Sequence, residues 1–338
     1  MKFGAVSLAE AIGALAAHSI RAGDVIIRKG HRISEEDAGR LAAAGLDAVT
    51  VVQLEAGDIG EDEAAQKLAD AFAGDNVDVE RPFTGRSNLF ASRAGILKIR
   101  RETIDVVNRV DEAITVATLP AFRAVVAGEM IGTVKIIPYA IPEILLDEAV
   151  RRAGKEAISV APYRLKRVGV VSTLTPSLKA SVVDKTLQVL QRRLDPAGAA
   201  ISAEARVKHE VQDLRAALSS PAMHDAELIV VFGASAIADR RDVIPQAIEA
   251  AGGRVEHFGM PVDPGNLLLV GSCGNVPVIG APGCARSPKE NGFDWMLQRL
   301  LAGLPISRED ITGLGVGGLL MEIVSRPQPR AGGESKPE

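Results

Sequence analysis

The feature that most constrains the fold is an unbroken apolar run, Leu228 to Phe232, which ends at Gly233. Apolar residues without alternation are typical of a strand that is buried on both faces, as in a parallel sheet. Small residues and a cluster of charges follow, and Val243 to Ala251 has the pattern of a helix. Such a strand–loop–helix unit is where α/β proteins bind anionic ligands. The pattern equally fits an ordinary turn with a solvated charge cluster, and both interpretations stay open at this point.

The neighbouring sequence repeats this alternation of strands and helices. Apolar strands are predicted at Val168 to Ser172 and Val276 to Gly280, and helices at Ala180 to Arg193 and Gly292 to Gly303. Alternation of this kind indicates helices on both faces of a mostly parallel sheet. We therefore predict an α/β domain at 163–305, built as a three-layer sandwich.

The flanking regions have different patterns. Residues 1–162 are predicted to form an α+β region, in which Ser7 and Ser34 have the positions of helix N-caps. The charge and Ala/Leu spacing from Glu55 to about Ala73 predicts an amphipathic helix. Residues 306–326 are expected to form a C-terminal β appendix that includes the apolar run Leu319 to Val324. The Pro- and Gly-rich tail, 327–338, is expected to be disordered.

Composition excludes several classes of function. A net charge of −4 over 338 residues argues against a nucleic-acid-binding surface, which needs a basic patch. No apolar run approaches the roughly 20 residues that a membrane helix needs, and Met1 to Val6 lacks the apolar core of a signal peptide. The expected location is therefore the cytoplasm, with no membrane contact. The spacing of Cys273, Cys284 and the histidines matches no zinc site.

Three loops follow the predicted parallel strands, and the carboxyl ends of such strands meet at one edge of a sheet. The first loop carries the hydroxyls of Ser172 and Thr173, and the second begins at Gly233. The third, Ala281 to Pro288, contains a glycine that permits close backbone approach and an arginine suited to bidentate phosphate binding. Cys284 in this loop is either a nucleophile or a small buried residue, and the absence of a histidine nearby in sequence favours the second.

The loops resemble the molybdopterin-binding domain shared by the molybdopterin adenylyltransferase and the molybdenum insertase. The run Gly233 to Pro245 is similar to the glycine-rich loop and Arg-Arg-Asp-Val-x-Pro motif of the adenylyltransferase. Gly169 to Ser172, Asp184 with Lys185, and Pro282 with Gly283 are similar to further parts of the same domain. Asp263 to Asn266 resembles a turn of the insertase. A separate stretch, Ile20 to Val52, resembles the insertase segment that leads into this domain.

The resemblance implies molybdopterin or the molybdenum cofactor as ligand, with Asp242 as a catalytic residue and a ligand of Mg²⁺. It departs from the family where acidic residues are expected, because Thr175 and Pro176 follow the first strand and Val207-Lys-His-Glu210 replaces a Val-x-Asp-Asp pattern. Binding is therefore better supported than catalysis. The residues expected to bind the cofactor are Ser172, Thr173, Gly233, Ala234, Ser235, Asp239, Arg240, Arg241, Gly265, Asn266, Pro282, Gly283, Cys284, Arg286 and Ser287.

The predicted function is molybdopterin or molybdenum cofactor binding, in biosynthesis of the cofactor or in its delivery. Mg²⁺-dependent adenylyl transfer from ATP and molybdate insertion are the candidate reactions. One alternative is a non-catalytic maturation factor that contacts a molybdoenzyme or a nucleotidyltransferase. Another is a pyridine-nucleotide hydrolase on the same domain, as in competence-damage proteins. The resemblance also implies a homo-oligomer.

Overall fold

The structure is a computed structural model that describes residues 1–320. The chain divides into two compact units, of which the first is Met1–Pro162 and the second begins at Tyr163. The tail 327–338 and most of the apolar run Leu319 to Val324 lie outside the described residues. Within residues 1–320, no helix has both the length and the apolar character needed to cross a membrane.

The first unit consists of antiparallel sheets and short helices. Its helices are α1 Leu8–Ala11, α2 Glu35–Ala43, α3 Glu61–Phe72, α4 Arg101–Asn108 and α5 Glu143–Ala153. Its strands are β1 Lys2–Ser7, β2 Leu15–Ala16, β3 Ile20–Ala22, β4 Val25–Ile27, β5 Ala48–Gln53, β6 Asp58–Gly60, β7 Val77–Val79, β8 Arg86–Ala91, β9 Gly95–Ile99, β10 Ile114–Thr118, β11 Ala124–Val125, β12 Met130–Ile136, β13 Ala140–Pro142 and β14 Ile158–Pro162.

Two hydrophobic cores stabilise this unit. The smaller core lies among α1, α2 and the sheet of order β1-β5-β2, and the larger core includes α3, α5 and the sheet of order β10-β12-β8-β7. Ser7 and Ser34 cap α1 and α2 in capping boxes, as predicted. The amphipathic helix begins at Glu61 and not at Glu55, because the residues before it pair with β13 as strand β6.

The second unit alternates strands and helices. Its strands are β15 Arg167–Leu174, β16 Ala200–Lys208, β17 Leu228–Phe232, β18 Arg254–Phe258, β19 Leu269–Cys273 and β20 Val276–Ala281. Its helices are α6 Ala180–Leu194, α7 Val211–Leu218, α8 Pro221–His224, α9 Val243–Ala250, α10 Gly292–Leu301 and α11 Arg308–Thr312.

These strands form one sheet of order β16-β15-β17-β20-β19-β18, in which the first four strands are parallel and β19 runs antiparallel to both of its neighbours, β20 and β18. Helices α6 and α10 pack on one face and α7 and α9 on the other, and β17 is buried along its whole length. The predicted three-layer α/β sandwich with a mostly parallel sheet is confirmed. Its cause is the run of apolar side chains on both faces of each central strand.

The strand order determines where a ligand can bind. The chain moves from β15 to β16 on one side, whereas β17 is followed by strands on the other side. The carboxyl ends of β15 and β17 therefore flank a topological switch point, the usual position of a ligand crevice in an open α/β sheet. We call the side of the sheet where β15, β16, β17 and β20 end the carboxyl edge.

The segment predicted as a β appendix is only partly strand-like in its described portion, residues 306–320. It contains helix α11, and the amide of Leu320 then donates to the carbonyl of Asp263 at 2.9 Å. Ser307 and Asp310 form a capping box at the start of this helix, which explains the local helical structure.

Candidate functional site

Two residues with hydroxyl side chains, Ser172 and Thr173, lie near the carboxyl end of strand β15. Ser172 is 2% exposed and Thr173 is 0% exposed, and because neighbouring strand residues point to opposite faces they lie on different sides of the sheet. Ser172 Oγ has no hydrogen-bond partner within the described residues. A buried hydroxyl left unsatisfied costs about 1–3 kcal/mol, so a ligand atom that bonds to it would recover that cost.

Thr173 belongs to a hydrogen-bond chain that crosses three segments. Its Oγ1 lies 2.8 Å from Nδ1 of His209, which follows β16, and Nε2 of the same ring lies 3.0 Å from Oγ of Ser235. Thr173 Oγ1 also accepts a hydrogen bond from the amide of Ala234 at 2.8 Å. Sequence reasoning placed His209 only inside an altered acidic pattern and assigned it no role. Its partners are distant in sequence, so only the fold shows them.

The loop after β17 is tightly folded. A Cβ atom on Gly233 would lie 2.5 Å from the carbonyl oxygen of Ser235, so glycine is required there by the loop itself. The backbone amides of Ser235, Ala236 and Ile237 donate to no acceptor within the described residues. Amides arranged in succession at such a turn suit an anionic group.

Arg286, in the loop after β20, lies next to the loop that follows β17. It donates to Oγ1 of Thr186 at 3.0 Å and to the carbonyl of Gly233 at 2.8 Å, and its guanidinium carbon lies 5.6 Å from the ring centroid of Phe232. Burial lowers the pKa of Arg286 below its usual value. Its described partners are all neutral, so this half-buried cation keeps an uncompensated positive charge. Such a cation favours a bound anion, phosphate in particular.

Arg193 of α6 holds the loop that carries Arg286. It pairs with Asp294, with both side chains 10% exposed, and donates to the carbonyls of Ala285 at 2.9 Å and Ser287 at 2.6 Å. It also reaches the carbonyl of Lys289. The loop is therefore preorganised by contacts that the sequence pattern did not predict.

The other predicted residues of the loop after β20 differ in how far they are buried. A Cβ on Gly283 would meet nothing within 4 Å, so glycine keeps that side of the loop open. Cys284 donates its thiol to Oδ1 of Asn291 at 3.6 Å, and burial raises its pKa. A protonated, half-buried thiol fits the structural interpretation of Cys284 better than the nucleophile. Pro282 is buried, and Ser287 contributes its carbonyl to Arg193.

Asp242, predicted as catalytic and as a Mg²⁺ ligand, is the N-cap of α9. Its Oδ1 accepts from the amide of Val243 at 2.7 Å and its Oδ2 from the amide of Ala238 at 3.1 Å. Oδ1 thus caps the start of the helix, and Oδ2 stabilises the loop before it. Among residues 1–320, no three or more Asp, Glu, His or Cys side chains are grouped to hold a metal ion. The described residues therefore contain no preformed site of three or more such side chains for Mg²⁺, and a role of Asp242 as a Mg²⁺ ligand stays a prediction.

The remaining charged residues of the same loop are exposed. Arg241 pairs with Asp239 at 2.7 Å, and its side chain is 86% exposed. The hydrogen bond from the Arg241 side chain lowers the pKa of Asp239. Arg240 lies near His257, whose pKa is lowered first by burial and then by the charges of Arg308 and Arg240. Arg241 is therefore locally neutralised, whereas Arg240 adds positive potential.

Gly265 and Asn266 lie in the turn between β18 and β19. Gly265 has a φ of 144°, and a Cβ there would lie 2.9 Å from the backbone of Gly292 at the start of α10. Asn266 accepts the amide of Met260 through its carbonyl at 2.9 Å. This turn is fixed by its own backbone contacts, and the glycine is needed for packing.

Most of the predicted residues fall into two groups by their contacts. Hydrogen bonds at the switch point join Thr173, Gly233, Ala234, Ser235 and Arg286 to the unpredicted residues His209 and Thr186. Ser172 lies at the end of the same strand as Thr173. The contacts described for Asp239, Arg241, Asp242, Asn266 and Cys284 lie within their own loops and helix ends, whereas Gly265 packs against Gly292 and Ser287 accepts from Arg193 of α6.

Comparison with known families identifies two segments. Residues 169–302 match the family described as "Probable molybdopterin binding domain", which confirms the resemblance for this part of the chain. Residues 5–53 match a domain of unknown function, DUF8806. A comparison with curated proteins found no match.

Two solved structures are similar at low sequence identity. A molybdopterin biosynthesis MoeA protein from Pyrococcus horikosii is 14% identical over 89% of this chain and 75% of its own, with a TM-score of 0.32. The molybdopterin biosynthesis enzyme MoaB from Thermus thermophilus is 17% identical over 42% of this chain and 99% of its own, with a TM-score of 0.29.

Proposed function

We propose that the second unit binds molybdopterin or the molybdenum cofactor at the carboxyl edge, in biosynthesis of the cofactor or in its delivery. The family match at residues 169–302 supports the ligand class. The observation that carries the proposal is Arg286, a half-buried cation with neutral described partners at the switch point of the sheet.

Each group at the edge has a distinct part in binding. Arg286 neutralises the terminal phosphate of the ligand, because its guanidinium is already desolvated and oriented by Thr186 and Gly233. The hydroxyl of Ser172 gains the partner that it lacks within the protein. The open side of Gly283 leaves room for the bulk of the ligand.

The arrangement favours binding over metal-assisted transfer. Asp242 accepts from the amides of Val243 and Ala238, and among residues 1–320 no group of three or more Asp, Glu, His or Cys side chains is arranged to hold a metal ion. This observation favours a carrier or maturation factor over an adenylyltransferase. ATP, a molybdoenzyme partner and homo-oligomer formation remain predictions from the family resemblance.

Isothermal titration of the full chain with molybdopterin under anaerobic conditions tests the proposal. Arg286→Gln removes the cation while keeping a polar side chain, and Arg192→Gln removes an exposed arginine of α6 as the matched control. We expect about 10- to 100-fold weaker binding for the first variant, since a hydrogen bond to a charged group contributes about 1.5–3 kcal/mol, and little change for the second. No binding by the parent protein, or equal effects of the two variants, would refute the proposal.

A further inference from the structure

His209 lies at the centre of the hydrogen-bond chain from Thr173 to Ser235. Its two ring nitrogens bond to hydroxyls on either side, at 2.8 Å to Thr173 and 3.0 Å to Ser235. The ring joins the ends of β15 and β16 to the loop after β17. A neutral imidazole carries one proton, so one ring nitrogen donates and the other accepts.

The surroundings of Thr173 decide which nitrogen accepts. Its hydroxyl already accepts a hydrogen bond from the amide of Ala234, and the residue is 0% exposed. Within the described residues, the only acceptor for the hydroxyl proton of Thr173 is Nδ1 of His209. A buried hydroxyl proton without an acceptor is costly, so Thr173 donates to Nδ1 and the ring proton lies on Nε2.

The direction of the next hydrogen bond follows from this assignment. Nε2 of His209 donates to Oγ of Ser235, so the hydroxyl proton of this exposed serine is free to point toward a ligand. The amides of Ser235, Ala236 and Ile237 are donors as well. The same assignment excludes neutral His209 as a base that activates Ser235, because a base would need an unprotonated Nε2.

We infer that His209 is a positioning residue, which orients the hydroxyl of Ser235 so that its proton points toward a ligand. Together with the neighbouring backbone amides, this hydroxyl then donates hydrogen bonds to an unprotonated phosphate oxygen. The ligand class is a phosphate monoester in its dianionic form, bound by N–H and O–H groups without a divalent cation. The inference rests on the proposed function for the identity of the natural ligand. The tautomer and the binding of free phosphate do not depend on that identity.

Long-range ¹H–¹⁵N NMR of the full chain reports the tautomer directly, and the signals of His209 are assigned from their loss in His209→Gln. The Nε2–H form is expected in the parent protein, and loss of this preference is expected in Thr173→Val. An Nδ1–H form in the parent protein would overturn the inference and would make His209 a candidate base for Ser235.

Two isosteric variants test the role in binding, with inorganic phosphate as the probe in ³¹P NMR titrations. Gln at position 209 keeps a donor where Nε2 lies, whereas Asn keeps an acceptor only where Nδ1 lies. Binding should stay close to the parent value in His209→Gln and weaken about 3- to 10-fold in His209→Asn, the effect of one hydrogen bond. Equal binding by both variants, or a requirement for Mg²⁺ in the parent protein, would overturn the inference.

The outcomes separate this inference from the proposed function. Phosphate binding with the expected tautomer but no molybdopterin binding would refute the proposed ligand alone. Molybdopterin binding that is unchanged in His209→Asn would refute the role of His209 alone.

Discussion

Replacement of Arg193 by Met tests whether the loop that carries Arg286 is preorganised by one buried side chain. Arg193 pairs with Asp294, each side chain being 10% exposed, and its other hydrogen bonds go to three carbonyls of residues 285–289. Met keeps most of the apolar stem and removes the charge. Asp294 would then remain buried without its cation.

The expected loss of stability follows from these contacts. Breaking a buried ion pair by removing one partner costs about 3–5 kcal/mol. Lys289 is exposed, so water can replace the hydrogen bond to its carbonyl, and we expect the lower end of that range. For a unit of this size, a loss of about 3 kcal/mol lowers the Tm by about 6–12 °C.

Urea unfolding followed by tryptophan fluorescence measures this loss in the second unit alone. Trp295 is the only tryptophan of the chain, and it lies in α10 next to Asp294. Arg192→Met is the control, because Arg192 is an exposed neighbour on the same helix. A loss below about 1 kcal/mol, or an equal loss in the control, would refute the argument, since surface substitutions usually change stability by less than about 0.5 kcal/mol.

Three further outcomes are expected. The pKa of Asp37 is lowered to about 2, most of all by the backbone hydrogen bond from Ser34. Because this pKa is lower in the folded than in the unfolded state, ionised Asp37 stabilises the fold fully above about pH 4. This stabilisation is lost as the pH falls toward 2. Acid unfolding followed by circular dichroism should show that Asp37→Asn lacks this loss of stability toward pH 2. An acid-unfolding curve equal to that of the parent protein would contradict the assignment to Asp37. Gly233→Ala places a Cβ 2.5 Å from the carbonyl of Ser235 and should lower the free energy of unfolding by about 1–3 kcal/mol. Gly283→Ala meets nothing within 4 Å and should leave stability unchanged while weakening molybdopterin binding, and equal stability losses in the two glycine variants would contradict this contrast.

Local sequence patterns predicted the elements best where burial is uniform. The apolar run Leu228 to Phe232 is a fully buried central strand because both faces of the sheet are covered, and the pattern contains that information. The predicted helix starts at Glu55 but the observed helix starts at Glu61, because residues 58–60 pair with a strand at residues 140–142. Pairing of this kind leaves no trace in local periodicity.

In the candidate site, too, the sequence predicts the types of residue but not their long-range contacts. The Ser/Thr, glycine and arginine residues of the three loops were recognisable as suited to phosphate, and the structure joins several of them through hydrogen bonds. The motif alone made Asp242 the natural choice for chemistry. The structure adds that its carboxylate caps α9, a role that depends on the conformation of the loop before it.

The sequence by itself determined that the second half of the chain is an α/β sandwich and that three loops lie at one edge of its sheet. Both conclusions depend on the order of apolar and polar residues along the chain, which sets strand, helix and burial locally. Only the tertiary structure decided which groups at that edge are free for a ligand. The partners of Thr173, His209, Arg193 and Arg286 are separated from them by 26 to 101 residues, so their hydrogen bonds form only when the strands are assembled.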